Sequence, residues 1–425
     1  MRKPTRKHIA VLLMILFSIS FHNHQVAAAA SPPQIISESA VLMDAKTGQV
    51  LYEKNMHKQL YPASITKILT VLLGIEKSRL QDTITMSHEA VFSIPRRASH
   101  IALDEGEQIT MEQALMAAML PSANDASNGI AEHVSGSIEN FARLMNQRAR
   151  EAGALNSNFV NPHGLSDDAH VSTAYDMAMI TRAAIQNEKF TKILGTVQYT
   201  IPPTNKNNEC RDLWSEHRML TTNRFYYEGV IGGKTGYTQA SQNTLVTVAQ
   251  RGERELIVVV MKSQGYAVYT DTIALFDYGF DQFTETRIVP SVSENPSRGE
   301  DESRTIQDIL SQSKTTGITR LLHNAVSPKN VVVDYQLVDD KGRDLPDLKI
   351  NIKLRTDSDL MYADLGSVYI STASLKGSSD TSKGWTGIFF KIIKVLAFLC
   401  LGLLVVLLLL RRYFKTHRVV RKKRR

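Results

Sequence analysis

The feature that most constrains the fold is an apolar segment near the C-terminus, residues 388–410, which is followed by a strongly basic tail. About 20 predominantly apolar residues can cross a bilayer as a helix, and Lys391 and Lys394 can extend toward the outer interface. Cationic flanks favour the cytoplasmic side. We therefore predict a single C-terminal transmembrane helix over 388–410, a basic cytoplasmic tail over 411–425, and an extracytoplasmic location at the cell membrane for the rest.

Residues 1–30 have the pattern of a secretory signal peptide: a basic start, the apolar run 9–21 and an alanine-rich cleavage region at 27–30. The signal peptide and the tail contain four and nine Lys and Arg residues. The rest of the chain contains 37 basic and 42 acidic residues, a net charge of about −5. A nucleic-acid partner therefore has no electrostatic basis. Cys400 lies in the predicted span and Cys210 outside it, so no internal disulfide is expected.

The chain between the two ends is long enough for two domains, which we place at 31–283 and 284–385. A predicted β-hairpin at 40–54 precedes a helix-rich block at 62–153, a loop at 161–170 and a helix at 173–186. Strands are expected at 227–231, 244–249 and 255–261, followed by a helix at 270–278. Strands at both ends of the first domain predict one sheet with a helical block, an α/β (α+β) arrangement.

The second domain is predicted to be small and β-rich. Its first part, 290–316, is polar and poor in aromatic residues, which predicts a linker or irregular segment. Alternating β-branched residues predict strands at 330–335, 348–354 and 367–371. A Gly, Ser and Lys-rich stalk, 375–383, leads to the membrane.

A serine and a lysine three residues apart, Ser64 and Lys67, form the first candidate motif. Pro62 precedes them and apolar residues follow at helical spacing, so both are expected on one helix face near its positive end. A largely desolvated lysine can be neutral enough to remove the proton of a serine hydroxyl. The same spacing occurs at Ser311 and Lys314, where we predict no surrounding helix.

The second candidate motif is Ser122-x-Asn124, which falls between helical stretches at 111–120 and 125–133. Such a loop can offer a hydroxyl and an amide to a substrate and to Lys67. A simple helix cap explains the same triplet equally well when it is considered alone.

The third candidate motif is Lys234-Thr235-Gly236, which we expect to open a strand. Lysine and threonine can hold a carboxylate through charge-assisted hydrogen bonds, and glycine lets a substrate lie close to the strand edge. Each of the three motifs recurs elsewhere in the chain and is weak alone. Further copies of the second and third begin at Ser241, Ser293 and Lys46. Only one ordered combination places all three motifs in suitable contexts, and that combination is the one found in penicillin-binding proteins and serine β-lactamases.

Longer segments strengthen this resemblance. The segments 62–67, 121–126, 161–165 and 232–238 resemble those of the low-molecular-mass D-alanyl-D-alanine carboxypeptidases, and the similarity runs from about 37 to 283. The resemblance implies a sheet with a helical subdomain and an active site between them. It also implies removal of the terminal D-alanine from peptidoglycan stem peptides that end in D-Ala-D-Ala, and inhibition by β-lactams.

The resemblance implies catalytic roles for three residues. Ser64 is the expected nucleophile, Lys67 the general base, and Ser122 a proton relay. The backbone N–H groups of Ser64 and Tyr237 are expected to form the oxyanion hole.

Further residues are expected to bind the substrate. Asn124 orients it, Lys234 and Thr235 bind its terminal carboxylate, and Gly236 and Tyr237 complete the strand beside it.

No cofactor or metal is expected, because nothing in the serine mechanism needs one. His163, Asp167, Asp168 and His170 could be imagined as metal ligands, but the resemblance places them in a loop that borders the active site.

Other functions share the same motifs. A transpeptidase or endopeptidase forms the same acyl-enzyme and differs in the bond that it cleaves or in the group that attacks the ester. A β-lactamase is disfavoured because residues 157–172 contain no glutamate to drive deacylation. A non-catalytic penicillin sensor is disfavoured by the short cytoplasmic tail and by the intact Ser64 and Lys67.

Overall fold

The computed structural model describes residues 31–221, 224–289, 299–313, 317–338, 346–354 and 364–372 of the 425-residue chain. The predicted signal peptide (1–30), transmembrane helix (388–410) and cytoplasmic tail (411–425) lie outside these ranges. Among the helices that the structure describes, none is both long and apolar enough to cross a membrane.

The described residues form fourteen strands and ten α-helices, numbered here in chain order. The strands are β1 Ser39–Asp44, β2 Val50–Lys54, β3 Thr83–Thr85, β4 Gln108–Thr110, β5 Gln198–Ile201, β6 Arg211–Trp214, β7 Val230–Thr238, β8 Gln242–Arg251, β9 Arg254–Ser263, β10 Phe283–Ile288, β11 Ile318–His323, β12 Val331–Val338, β13 Asp347–Leu354 and β14 Asp364–Ile370. The helices are α1 Lys67–Lys77, α2 His88–Phe92, α3 Met111–Met119, α4 Asn124–Ser135, α5 Ile138–Glu151, α6 Ala174–Ala184, α7 Glu188–Leu194, α8 Arg218–Thr221, α9 Ala267–Asp281 and α10 Glu300–Gln312.

Five antiparallel strands form the central sheet in the order β2-β1-β9-β8-β7. Ala40 of β1 lies opposite Val260 of β9. Val246 of β8 lies opposite both Val259 of β9 and Lys234 of β7. The N-terminal hairpin therefore completes a sheet whose other strands come much later in the chain, which confirms the predicted arrangement.

Alternate residues of β9 enter two different hydrophobic cores, because successive side chains of a strand point to opposite faces. On one face, Ile257 and Val259 pack with the helical block that includes α1, α3 and α6. On the other face, Val258 and Val260 pack with Phe276 of α9. Helix α9 is the helix predicted at 270–278, and it is longer than predicted at both ends.

Two short antiparallel strand pairs interrupt the regions that we predicted as helical or left unassigned. Strands β3 and β4 pair within the helix-rich block, and β5 and β6 pair after α7. Each strand has only three or four residues, which is too short for the alternation of apolar and polar residues to be distinctive.

The prediction of an irregular segment at 290–316 is wrong over 300–312, where the chain forms α10. Ile306 and Ile309, one helical turn apart, are fully buried, so this polar segment still presents an apolar stripe. Ser311 lies in the last turn of this helix, contrary to our expectation that no helix surrounds it. The three predicted strands that follow are present as β12, β13 and β14, which form one sheet in that order.

The chain divides into two compact units. Of the described residues, the first unit contains 31–221, 224–288, 319–332, 352–354 and 364–366. The second contains 289, 299–313, 317–318, 333–338, 346–351 and 367–372. The domain boundaries predicted from composition, 31–283 and 284–385, remain a prediction.

Candidate active site

The candidate nucleophile Ser64 lies on a short 3₁₀ turn, Ala63–Thr66, which leads directly into α1. Residues three apart on a 3₁₀ turn lie above one another, so Ser64 and Lys67 are neighbours. Lys67 Nζ donates a hydrogen bond to Ser64 Oγ over 3.0 Å. Ala63 has a φ of 51°, which a residue with a Cβ rarely adopts, so the backbone just before the serine is strained.

Lys67 is completely buried and has three acceptors around its ammonium group. Besides Ser64, its Nζ donates to Asn124 Oδ1 at 2.7 Å and to the backbone carbonyl of His163 at 2.8 Å. Burial, and then the positive charge of Lys234, hold the pKa of Lys67 well below its usual 10.5. This lysine is therefore positioned and tuned to exchange a proton with the serine hydroxyl.

The second motif occupies the loop between α3 and α4, as predicted. Ser122 has a φ of 64° and is only 3% exposed. Its Oγ has no hydrogen-bond partner among the described residues, yet it lines the cleft beside Ser64. Asn124 starts α4 and bonds Lys67, so this motif does more than cap a helix.

The third motif lies in the middle of β7 and does not open a strand as predicted, because β7 runs without a break from Val230 to Thr238. Lys234 is buried and its Nζ donates to the Thr235 carbonyl at 3.1 Å. Burial lowers the pKa of Lys234 to about 8, against the opposing effect of the Glu216 carboxylate. Tyr237 is 67% exposed at the edge of the cleft.

Gly236 allows β7 to approach the nucleophile. A Cβ at this position would lie 2.3 Å from Thr244 Oγ1 and 2.9 Å from the backbone nitrogen of Ser64, closer than real side chains come. The strand and the turn that carries Ser64 can therefore pack backbone against backbone. The predicted oxyanion hole, built from the N–H groups of Ser64 and Tyr237, needs this closeness.

The loop at 161–170 forms another wall of the site. Gly164 has a φ of 84°, and a Cβ there would lie 1.9 Å from the carbonyl oxygen of Ala63. His170 Nε2 is 2.9 Å from Thr66 Oγ1, and the Val160 N–H donates to His170 Nδ1 at 3.2 Å. Burial lowers the pKa of His170 to about 4, so the ring is neutral and acts as a structural link.

Several residues at the site were not predicted from the sequence. The cleft is about 830 Å³ in volume, and Arg97, Ser99 and Glu216 line it together with the three motifs. The Asn124 N–H donates to the Ser99 carbonyl at 2.9 Å. Asp125 accepts the N–H groups of 101 and 103, which ties this loop to α4. No motif marks these residues, because each contributes through its position in the fold.

The other motif copies have different structural roles or lie outside the described residues. Lys46-Thr47-Gly48 forms the turn between β1 and β2. Ser241 closes the turn between β7 and β8 by accepting the Thr238 N–H at 2.8 Å. The copy that begins at Ser293 lies outside the described residues. The ordered combination predicted from the sequence is therefore the one that meets at the cleft.

Comparison with known proteins now decides the family. The family model described as D-alanyl-D-alanine carboxypeptidase matches residues 26–265, more than half of the chain, and this range contains all three motifs. The chain belongs to the D-alanyl-D-alanine carboxypeptidase family. A relative in this family, D-alanyl-D-alanine carboxypeptidase DacF of Bacillus subtilis, is 34% identical over 280 residues, which are 64% of this chain and 69% of the relative.

Solved structures of the family have the same mixed α/β fold. The Streptomyces K15 DD-transpeptidase is 27% identical with a TM-score of 0.55, over 59% of this chain and 99% of that one. The D-alanyl-D-alanine carboxypeptidase of Mycobacterium tuberculosis is 28% identical with a TM-score of 0.54, over 60% of this chain and 94% of that one. The predicted sheet with a helical subdomain is therefore the fold of the catalytic part.

Proposed function

We propose that this protein is a serine D-Ala-D-Ala carboxypeptidase that removes the terminal D-alanine from peptidoglycan stem peptides. The observation that carries the proposal is the contact of the buried Lys67 with Ser64 at 3.0 Å, in a cleft that all three motifs line. Membership of the D-alanyl-D-alanine carboxypeptidase family supports the same substrate class.

Acylation begins when neutral Lys67 takes the proton of Ser64 and the serine oxygen attacks the carbonyl carbon of the penultimate D-alanine. The carbonyl oxygen becomes an oxyanion, which the N–H groups of Ser64 and Tyr237 stabilise. The carbon–nitrogen bond then breaks and leaves an ester on Ser64. The proton that Lys67 took from Ser64 passes by way of Ser122 to the departing D-alanine nitrogen. The buried Ser122 hydroxyl has no hydrogen-bond partner among the described residues and is available for this transfer.

Deacylation needs a water molecule that attacks the ester and gives its proton to Lys67. Lys67 then returns this proton to Ser64 Oγ as the ester bond breaks, and the products are the shortened stem peptide and a free Ser64. A β-lactam enters the same first step, because its strained amide resembles the D-Ala-D-Ala bond. Residues 157–172 contain no glutamate to speed hydrolysis, so we expect the penicilloyl ester to persist.

The test is to incubate the full-length protein with a peptide that ends in D-Ala-D-Ala and to follow released D-alanine. Ser64→Ala should abolish release and should also abolish covalent labelling by a fluorescent penicillin. Release that persists in Ser64→Ala would exclude Ser64 as the nucleophile. An absence of release by the unmodified protein, with labelling retained, would exclude carboxypeptidase activity and leave a penicillin-binding transferase or sensor.

A second candidate activity is transpeptidation, because the Streptomyces K15 structure of the same fold is a DD-transpeptidase. The two reactions share the acyl-enzyme and differ in whether water or an amine attacks it. Adding an amine acceptor such as glycine to the same assay separates them. A transpeptidase forms the exchanged peptide in proportion to the acceptor, whereas a carboxypeptidase continues to form the shortened one.

We also propose that the protein is exported and anchored in the cell membrane by 388–410, with the catalytic part outside. The proposal is supported by the sequence patterns at 1–30 and 388–425. Protease treatment of intact protoplasts tests it. Digestion of the catalytic part with protection of a short C-terminal fragment is expected, and full protection of the chain would contradict it.

A further inference from the structure

One acidic side chain lines the part of the cleft where the substrate's terminal carboxylate is expected to bind. Glu216 and Thr235 both line the cleft, and Thr235 Oγ1 donates a long hydrogen bond of 3.4 Å to Glu216 Oε2. Glu216 is also close enough to Lys234 for its charge to raise the pKa of that lysine. The hydroxyl that we assign to the substrate therefore already donates to a carboxylate of the protein, whose charge also acts on the Lys234 ammonium.

Contacts with the loop that carries Ser122 on one side, and with strands β7 and β8 on the other, hold the backbone around Glu216 in place. Its N–H donates to the carbonyl of Leu120, next to the loop that carries Ser122. The adjacent His217 is buried, and its Nε2 is 3.0 Å from Thr247 Oγ1 on β8. Gly233 of β7 packs so closely against His217 that a Cβ would lie 2.5 Å from the ring nitrogen. Glu216 is thus fixed at the cleft even though its side chain is exposed to solvent.

We propose that Glu216 is a specificity-determining residue that competes with the substrate's terminal carboxylate for Thr235 and Lys234. The inference rests on the proposed function, because it concerns the same carboxylate subsite. Two carboxylates that share one hydroxyl and one ammonium repel each other, and a substrate with no charge at this end avoids that repulsion. With Glu216 present, the cleft's preference for a substrate with a free C-terminal carboxylate over one with a neutral end is smaller than Lys234 alone would give.

This competition affects which class of substrate the site accepts. A cross-linked stem presents a D-alanyl amide bond whose leaving group can be a side-chain amine, without the terminal carboxylate of a free D-alanine. Competition by Glu216 reduces the advantage of the free-acid stem over such a neutral leaving group. The site is therefore suited to both kinds of D-alanyl amide.

The experiment measures binding and does not depend on turnover. Full-length Ser64→Ala protein in detergent is titrated at pH 6 with diacetyl-Lys-D-Ala-D-Ala and, separately, with the C-terminal amide of the same peptide. Lys234, with its pKa of about 8, is protonated at this pH. The Kd ratio of amide to acid is then compared with that of the double variant Ser64→Ala, Glu216→Gln.

We expect the Glu216→Gln change to raise this ratio about three- to five-fold through tighter binding of the acid, since an exposed charge is partly screened. The gain should shrink in 0.5 M salt, where the Debye length is on the order of 4 Å. Glu253→Gln is the matched control, because Glu253 is an exposed glutamate in the turn between β8 and β9, outside the cleft. That variant should leave the ratio unchanged.

An unchanged ratio in Glu216→Gln, or weaker binding of the acid, would overturn the competition. So would equal binding of acid and amide in all variants. Thermal unfolding of each variant identifies any loss of fold, which Glu216→Gln should not cause because its side chain is exposed. Failure of the proposed function is seen separately, as absence of D-alanine release by the protein with Ser64 intact.

Discussion

At the scale of single residues, acylation depends on Lys67, which is completely buried and touches Ser64 Oγ at 3.0 Å. Lys67→Met keeps the length and burial of the side chain but removes the base. We expect the second-order rate constant for acylation by a fluorescent penicillin to fall by roughly 10³-fold or more.

The matched control for this prediction is Lys77→Met, an exposed lysine at the other end of the same helix, which should acylate normally. Lys67→Met removes a buried amine and leaves two acceptors, Asn124 Oδ1 and the His163 carbonyl, without a donor. The thermal unfolding midpoint shows whether the fold survives. Normal acylation by a folded Lys67→Met protein would exclude Lys67 as the base.

The two buried lysines also predict the pH dependence of kcat/KM. Lys67 must be neutral to take a proton, and its depressed pKa makes the rate rise with pH at the acid end. Lys234 must be charged to bind a carboxylate, and its pKa of about 8 makes the rate fall above about pH 8. The alkaline decline should be weaker for a peptide amide, which does not need the charge of Lys234. An equal decline for acid and amide peptides would contradict the role of Lys234.

The sequence was sufficient to pair Ser64 with Lys67, because their spacing of three is local. It was insufficient to find the His163 carbonyl or Glu216, although both act on the same lysines. A backbone carbonyl has no residue-type signature, and a single exposed glutamate resembles any surface residue. Both ring nitrogens of His170 make hydrogen bonds within the protein, to Thr66 and to the Val160 N–H, and no sequence pattern indicates these partners.

At the scale of secondary-structure elements, a buried ion pair joins β6 to the residue that directly precedes β4. Glu107, which has no exposed surface, accepts two hydrogen bonds from Arg211 of β6, at 2.7 and 3.0 Å. Arg211 also donates to the Ala102 carbonyl at 3.1 Å. The pair of short strands β5 and β6 is thereby tied to the loop that contributes Arg97 to the cleft.

Glu107→Gln should destabilise the fold by about 3 kcal/mol. The neutral glutamine leaves the positive charge of Arg211, a mostly buried side chain, without a negative partner. The looser loop should raise KM for the D-Ala-D-Ala peptide several-fold while kcat changes less. Urea unfolding and steady-state kinetics measure the two effects. The exposed pair of Arg251 and Asp281 provides a control, and Asp281→Asn should cost less than 1 kcal/mol. Equal costs for the two variants would contradict the argument from burial.

The elements that sequence patterns predicted well are the long ones with clear periodicity, such as α6, β8 and α9. The elements that were missed include the short strand pairs β3–β4 and β5–β6, the strands β10 and β11, and α10, and the strand predicted at 227–231 lies further along the chain, as β7. In α10 only a narrow stripe of isoleucines is buried, so its overall polarity concealed the helical period. Tertiary contacts, and not local propensity, stabilise such elements.

At the scale of the whole molecule, the site exists because the chain returns to its N-terminal hairpin. β1 pairs with β9, and the same sheet carries β7 and its buried Lys234 to the turn that holds Ser64. Strands on both sides of the helical block predicted one sheet. The order of its strands depends on long-range pairing, which no local pattern encodes.

Three buried histidines, two in the loop at 161–170 and one beside the sheet, predict how the stability of the whole molecule depends on pH. Burial lowers the pKa of His170 and His217 to about 4 and that of His163 well below 6.5. Between pH 6.5 and 4 the unfolded chain therefore binds more protons than the folded one. The free energy of unfolding must then decrease as the pH falls through this range, by up to about 3 kcal/mol for each of His170 and His217. Well below pH 4 the contribution of His170 and His217 no longer changes.

Urea unfolding at pH 7, 5.5 and 4.5 measures this decrease in the full-length protein. His170→Gln should be less stable than the unmodified protein at pH 7, because Thr66 and the Val160 N–H lose their partner, yet its stability should change less with pH. His88→Gln, at an exposed position, should keep the full pH dependence. A stability that is constant from pH 7 to 4.5 would show that these rings become protonated without unfolding. In that case the loop at 161–170 would have to admit water beside Lys67, and the low pKa on which the base depends would be lost with it.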